Sequence, residues 1–257
     1  MRTIAVAMTK GGVGKTTTAV NLSHGLASRG HRVLLVDADT QGQCAKALGV
    51  ETDCTLTEVL ADGVHILDAA TKARSNLDLV ASDYNLTRAA LSIARRQDNG
   101  HSALAEALEP AIENYDVTVI DAAPGFDPIA VNVLGCAEDI VAPVALAPAA
   151  LAGVLDFVRH VGSVQEHNPS LKLRYILPTF LDNRVRQSGE MLAQIRGHFG
   201  TQLCNPIRVN SDLAEAFGFQ SSIFEDSPKT RGAHDYTPFI DRVEADGPRP
   251  MWEKYMP

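Results

Sequence analysis

Thr9-Lys10-Gly11-Gly12-Val13-Gly14-Lys15-Thr16-Thr17 is the stretch that decides how this chain folds. An apolar run, Ile4-Ala5-Val6-Ala7-Met8, precedes it, and a helical pattern over 18–29 follows. Strand, glycine loop and helix in that order are the setting a phosphate-binding loop requires. Glycines carry no Cβ, so successive backbone N–H groups can close around a polyphosphate, and the helix behind them adds the partial positive charge of its N-terminus. Lys15 supplies a full charge for the β- and γ-phosphates, and the Thr16 hydroxyl is of the type that ligates Mg2+. The segment from Lys10 to Thr17 is therefore expected to hold a nucleoside triphosphate.

Outward from the loop, apolar strands alternate with helical segments. Val33-Leu34-Leu35-Val36 reads as a strand ending at Asp37, with Gly30 closing the helix before it. Leu77-Asp78-Leu79-Val80 is a shorter strand, and Val117-Thr118-Val119-Ile120 ends at Asp121. Ile140-Val141-Ala142-Pro143-Val144 follows, and the run over 173–177 is expected to stop at Pro178. Helices are predicted over 85–96, 102–113, 151–165, 185–199 and 231–243. Such alternation predicts an α/β fold: a doubly wound, mostly parallel sheet with helices on both faces, one domain over 1–257. The end of the chain, 246–257, carries Pro248, Pro250 and Pro257 and is expected to be irregular. Ligands of open parallel sheets sit beyond the carboxyl ends of the strands, where Asp37, Asp39 and Asp121 gather with the loop. Asp121 closing an apolar strand is a Walker B arrangement, with its carboxylate on the metal; the plainer reading is an aspartate capping the next turn.

Composition sets bounds. The 257 residues are 45% hydrophobic and only 5% aromatic, as a sheet of aliphatic strands covered by helices demands. Net charge is −8, from 23 Lys and Arg against 31 Asp and Glu, which excludes a generic polyanion binder. Any contact with nucleic acid must come from a local basic patch assembled by dimerisation, and it should weaken with salt. The four cysteines, Cys44, Cys54, Cys136 and Cys204, form no C-x-x-C pair, so reduced thiols and a cytoplasmic location are expected. Neither a leader peptide nor a membrane span is expected, since the first strand begins by residue 3 and no apolar run is long enough.

The motif K-G-G-V-G-K-T-T at Lys10 to Thr17 resembles the deviant Walker A loop of the ParA/MinD family of ATPases. Thr9 stands where the general pattern G-x-x-x-x-G-K-[ST] has glycine. The resemblance implies that Lys10 reaches across a dimer interface to the partner's phosphates; by itself a lysine at a loop mouth is ordinarily a solvated charge. Asp37-Ala38-Asp39-Thr40-Gln41-Gly42 resembles the family's D-x-D-P-Q-G, with Thr40 in place of proline. By that resemblance Asp39 positions the attacking water and Asp37 lies in the metal's outer shell. The implied catalytic set is Lys10, Lys15 and Asp39, and the metal set is Thr16, Asp37 and Asp121. Asp121-Ala122-Ala123-Pro124-Gly125 keeps one proline of the family's D-x-P-P. The stretch from Ile207 to Ala216 is similar to I-P-R-N-V-R-L-S-E-A, which implies that Asn210 flanks an adenine, while Arg208 replaces the proline and Asp212 an arginine.

The function implied by this resemblance is a slow ATPase switch using ATP and Mg2+. It would dimerise on ATP, bind DNA without base specificity, and be stimulated by a centromere-binding or cargo adaptor protein. Its cargo would be a plasmid, a chromosome or a protein assembly moved over the nucleoid. The resemblance is to the small members, without an N-terminal helix-turn-helix. Arg184, Arg186, Arg196, Lys229, Arg231 and Arg242 are candidate DNA contacts, and each is equally readable as a solvated surface charge. Three alternatives stay open. A MinD-like membrane-cycling ATPase needs a basic amphipathic C-terminal helix, which the prolines break, so no stable membrane association is expected. An iron–sulfur carrier of the nitrogenase-reductase type needs two cysteines per subunit, and Cys136 has no evident second ligand. A nucleotide-held scaffold without turnover conflicts with the retention of Lys10, Lys15, Asp39 and Asp121.

Overall fold

A computed structural model describes residues 1–96 and 102–247 of the chain. Strand β1 (Arg2–Val6) leads through the glycine loop into helix α1 (Lys15–Ala27), and β2 (Val33–Ala38) follows. Short helices α2 (Gln43–Leu48), α3 (Leu56–Asp62) and α4 (Ile66–Ala69) precede β3 (Thr71–Arg74) and β4 (Leu77–Val80). Next come α5 (Leu86–Ala94), α6 (Ala103–Leu108), β5 (Val117–Ala122), α7 (Pro128–Cys136), β6 (Asp139–Ala145), α8 (Ala150–Gln165) and β7 (Lys172–Thr179). The chain then continues through α9 (Arg186–Phe199), α10 (Ser211–Gly218), α11 (Ile223–Asp226) and α12 (Arg231–Ala245).

The strands form one sheet in the order β3-β4-β2-β5-β1-β6-β7, parallel throughout except for the antiparallel β3–β4 pair at one edge. This is the doubly wound arrangement expected, with β1 and β5 central. Alternation along each strand sends side chains to two apolar layers. Ala5, Leu34, Val36 and Ile120 pack into one with α5, α7 and α8, and Ile4, Val6, Leu35 and Val119 pack into the other with α1 and α12.

Several elements differ from expectation. The edge strand β3 and helices α2, α3, α4, α7, α10 and α11 are absent from the sequence reading, being short or, for α7, almost wholly apolar and without a polar face to mark its period. The segment expected as a helix over 102–113 is α6 followed by a 3-10 turn over Glu109–Ala111, where Pro110 tightens the chain. Strand β7 does not stop at Pro178 but runs on to Thr179. Pro178 turns its carbonyl outward to accept the Ile207 N–H at 2.8 Å, so its missing N–H falls on the side away from β6 and costs no ladder bond. Helix α12 also continues through Pro238. Of the expected irregular end, Asp246 caps α12, and 248–257 lie outside the described residues.

At the amino ends of the strands a buried ion network ties the first and last elements together. Arg2 donates to Asp139 (2.9 Å), to the Val243 carbonyl (2.6 Å) and to the Tyr175 hydroxyl (2.8 Å). Arg174 donates to the other Asp139 oxygen at 2.7 Å, and Tyr175 donates to Asp246 at 2.6 Å. Among the described residues no helix is long and apolar enough to cross a membrane.

Candidate functional site: a phosphate loop facing a buried carboxylate pair

The site is assembled at the carboxyl ends of β1, β2 and β5. In the sheet register Asp121 lies beside Val6 on one neighbour and beside Asp37 on the other. Parity fixes where the two carboxylates point. Val33 and Leu35, like Val117 and Val119, face the layer that holds α1, so Asp37 and Asp121 face it too, toward the helix that begins at Lys15. Both aspartates lie inside their strands rather than just past them.

The loop between β1 and α1 is shaped by its backbone. Gly14 precedes the helix with φ +89°, a left-handed conformation that an L side chain resists. Thr179 holds the loop from β7, donating its hydroxyl to the Val13 carbonyl at 2.9 Å, and the Gly125 N–H donates to the Thr9 carbonyl at 2.9 Å. Lys15 is buried, with Nζ 3.1 Å from the Lys10 carbonyl. Burial lowers its pKa, and Asp121 and Asp39 act against that shift. Lys10 is exposed at the loop's outer face, and Thr16 is half-buried at the first turn of α1. Lys15, Asp37, Asp39 and Asp121 are thus brought together, with Lys10 at the rim.

The carboxylates have unequal surroundings. Asp37 Oδ1 accepts the Asp39 N–H at 3.0 Å and Oδ2 accepts the Cys44 N–H at 2.9 Å. Asp121 Oδ2 accepts the Cys44 thiol at 3.5 Å, while its Oδ1 is buried without a hydrogen-bond partner. Burial raises the pKa of both; repulsion from Asp37 adds to the rise at Asp121, and repulsion from Asp39 adds to the rise at Asp37. Thr16, Cys44 and Lys15 pull Asp121 back. A buried carboxylate pair with an orphaned oxygen is a site short of positive charge, and a divalent cation is what answers both deficits. Thr16, Asp37 and Asp121 fit such an ion. Asp39 is half-buried and caps its own turn, accepting the Gln41 N–H at 3.0 Å. Gly42 completes that turn because a Cβ there would lie 2.5 Å from the Ser82 carbonyl oxygen.

Beside the loop lies a cavity of about 310 Å3, lined by Gly14, Thr17, Phe180, Ile207, Leu213 and Tyr236 around Asn210. Its mostly apolar wall suits a planar ring adjoining a bound phosphate chain. Asn210 caps α10 through Oδ1, which accepts the Asp212 N–H at 2.9 Å, and leaves Nδ2 buried without a partner. Arg208, where the sequence suggested a departure, also lines the cavity, with its guanidinium held by Asp235 in a forked pair as short as 2.6 Å. The aromatic and aliphatic wall was missed from sequence because its members come from four distant segments. Cys44 was missed as well, although it lies two residues beyond the D-A-D-T-Q-G segment and faces both aspartates.

The six basic candidates part company. Arg242 turns inward, donating to the Leu203 carbonyl at 2.9 Å and stacking over Tyr175, which removes it as a surface contact. Arg184 and Arg186 pair with Asp182 and Glu190. Arg196, Lys229 and Arg231 are exposed. Among the described residues all four cysteines are free thiols, and the cluster of potential metal ligands is Asp37, Cys44 and Asp121 rather than one containing Cys136.

Residues 1–173 match the family described as AAA domain. The chromosome-partitioning ATPase Soj of Thermus thermophilus is 37% identical over 95% of this chain and 96% of its own length. The chromosome partitioning protein ParA of Caulobacter vibrioides is 32% identical over 92% of this chain and 91% of its own. A structure of cobyrinic acid a,c-diamide synthase from Mycobacterium smegmatis, with bound ATP analogue and magnesium, superposes with a TM-score of 0.81 at 30% identity. That likeness covers 95% of this chain and 94% of the other.

Proposed function

The chain belongs to the AAA-domain family of Soj/ParA ATPases, and we propose that it is an ATP-dependent switch whose dimer binds DNA and positions cargo. The single observation that carries the chemistry is the buried pair Asp37 and Asp121 set in register beneath a loop presenting Lys15 and Thr16. The similarity to Soj and ParA across nearly the whole chain supports the biological role.

ATP is the substrate, its phosphates on the N–H groups from Lys10 to Thr17 and its base in the cavity beside Asn210. Thr16 and Asp121 would hold Mg2+, with Asp37 behind them, and the ion would supply charge neutralisation for the β- and γ-phosphates. Lys15, buried and desolvated, places its charge where a low local dielectric strengthens it. Asp39 orients the attacking water from the turn that follows β2, and Lys10, exposed at the rim, contacts the phosphates of a second copy. Closure of the dimer on ATP then brings the exposed Arg196, Lys229 and Arg231 of two copies onto one surface, which gives an acidic chain a local basic face. Slow hydrolysis stimulated by a centromere-binding or cargo adaptor protein ends the bound state, and the protein resides in the cytoplasm on the nucleoid.

The test is Lys10→Ala. Light scattering with a non-hydrolysable ATP analogue should show a dimer for the parent chain and a monomer for the variant, with fluorescent-nucleotide affinity kept within about threefold. A variant that still dimerises on the analogue removes the shared-phosphate mechanism.

A further inference from the structure

Cys44 occupies a position that magnesium chemistry does not need. Its side chain is fully buried at the start of α2, between the two aspartates, with Sγ 3.5 Å from Asp121 Oδ2 and its N–H on Asp37. One oxygen from each carboxylate and the sulfur all lie within 4.8 Å of one another. Asp121 is only 1% exposed, yet its Oδ1 has no partner. We infer that Asp37, Cys44 and Asp121 form a site for a thiophilic divalent cation of the zinc class, placed so that its occupancy competes with Mg2+ at Thr16.

The geometry favours this ion class. A Zn–S bond of about 2.3 Å and a Zn–O bond of about 2.0 Å at a tetrahedral angle separate sulfur from oxygen by about 3.5 Å. That is the separation found between Cys44 and Asp121. Magnesium takes oxygen ligands in a near-ideal octahedron and has no use for sulfur, whereas zinc takes sulfur and carboxylate together. Charge closes as well. Two carboxylates and a thiolate carry three negative charges, matched by the divalent ion and the Lys15 ammonium, which interacts with Asp121. Binding breaks the S–H bond and forms the metal–sulfur bond, releasing the thiol proton to solvent together with any proton the two raised carboxyls still hold. The fourth position is left to water or to a phosphate oxygen. This chain would then sense soft metal through the seat it uses for ATP. The competition, unlike the site itself, rests on the proposed seating of Mg2+ at Thr16.

The experiment uses the full-length, nucleotide-free protein. Zinc is titrated against a chromophoric chelator, and cobalt(II) is titrated as a spectroscopic substitute. The parent chain should bind one zinc tightly and show a thiolate-to-cobalt charge-transfer band in the near ultraviolet. Cys44→Ser and Cys44→Ala should lose the band and bind zinc on the order of a hundredfold more weakly. Circular dichroism identifies any variant that has failed to fold, and the serine change keeps nearly the parent shape. Millimolar Mg2+ with ATP should displace zinc from the parent. Parent-like zinc affinity in both folded variants, or absence of the charge-transfer band in the parent, overturns the site. Tight Cys44-dependent zinc that Mg2+ and ATP fail to displace overturns the competition alone, and failure of the ATPase reading would show instead as loss of nucleotide binding with the zinc site intact.

Discussion

Replacing Asp121 with asparagine removes one of the two carboxylates that β2 and β5 hold side by side, and should stabilise the metal-free protein while disabling it. Asp121 is 1% exposed and its register partner Asp37 is 0% exposed, so neither charge is relieved by solvent. Burial raises both pKa values above the ordinary aspartate range, with repulsion from Asp37 adding to the rise at Asp121 and repulsion from Asp39 to that at Asp37. A carboxyl raised in the folded state holds its proton after the unfolded chain has lost it. The pair's contribution to stability is therefore greatest below about pH 4 and is lost as pH rises through the folded-state titration, by about 1.4 kcal/mol per pH unit for each proton held in excess. Partial occupancy across the window reduces that slope, and we expect the variant to gain about 2 kcal/mol over the parent between pH 5 and pH 8, or about 4–8 °C in Tm for a chain of this size. His24, whose pKa burial lowers, tilts both proteins in the opposite sense and cancels in the difference. The assay is thermal and urea unfolding of both proteins across that range with a chelator present. A pH-independent difference, or a parent that gains on the variant as pH rises, would refute the argument. Hydrolysis and metal binding should be lost in the variant at every pH.

Three further outcomes follow from particular contacts. Gly42→Ala, at φ +57° and with its new Cβ 2.5 Å from the Ser82 carbonyl oxygen, should cost about 2–4 kcal/mol and slow hydrolysis by displacing Asp39; an unchanged urea midpoint would contradict the close approach. Arg2→Ala removes one of the two guanidinium groups bonded to the buried Asp139 and should lower stability by about 3 kcal/mol, read from the denaturation midpoint, with no direct effect on the nucleotide site. Asn210→Ala removes both the cap of α10 and the free Nδ2 at the cavity, so nucleotide affinity should fall about tenfold and stability by about 1 kcal/mol; full affinity for a fluorescent ATP analogue in the variant would separate Asn210 from the base.

The sequence determined the frame of this protein. An apolar strand running into K-G-G-V-G-K-T-T and then a helix has one stable continuation, because the glycines permit the left-handed turn at Gly14 and the aliphatic runs that follow must be covered on both faces. The carboxylates at Asp37, Asp39 and Asp121 were legible because each closes a strand or its loop, and the carboxyl edge of a parallel sheet is where such groups meet. Tertiary structure alone decided what depends on register and on contacts between distant segments. Asp37 and Asp121 become a pair only because β2 lies beside β5, not beside β1. Arg242 turned from a candidate DNA contact into an internal ligand of the Leu203 carbonyl, and Pro178 stayed within β7 because the strand's outer edge has no N–H demand there. The cavity around Asn210 and the placement of Cys44 between two acids had no local signature. Spacing along the chain encodes period and turns, whereas distance across a sheet and orphaned buried atoms exist only once the layers have packed.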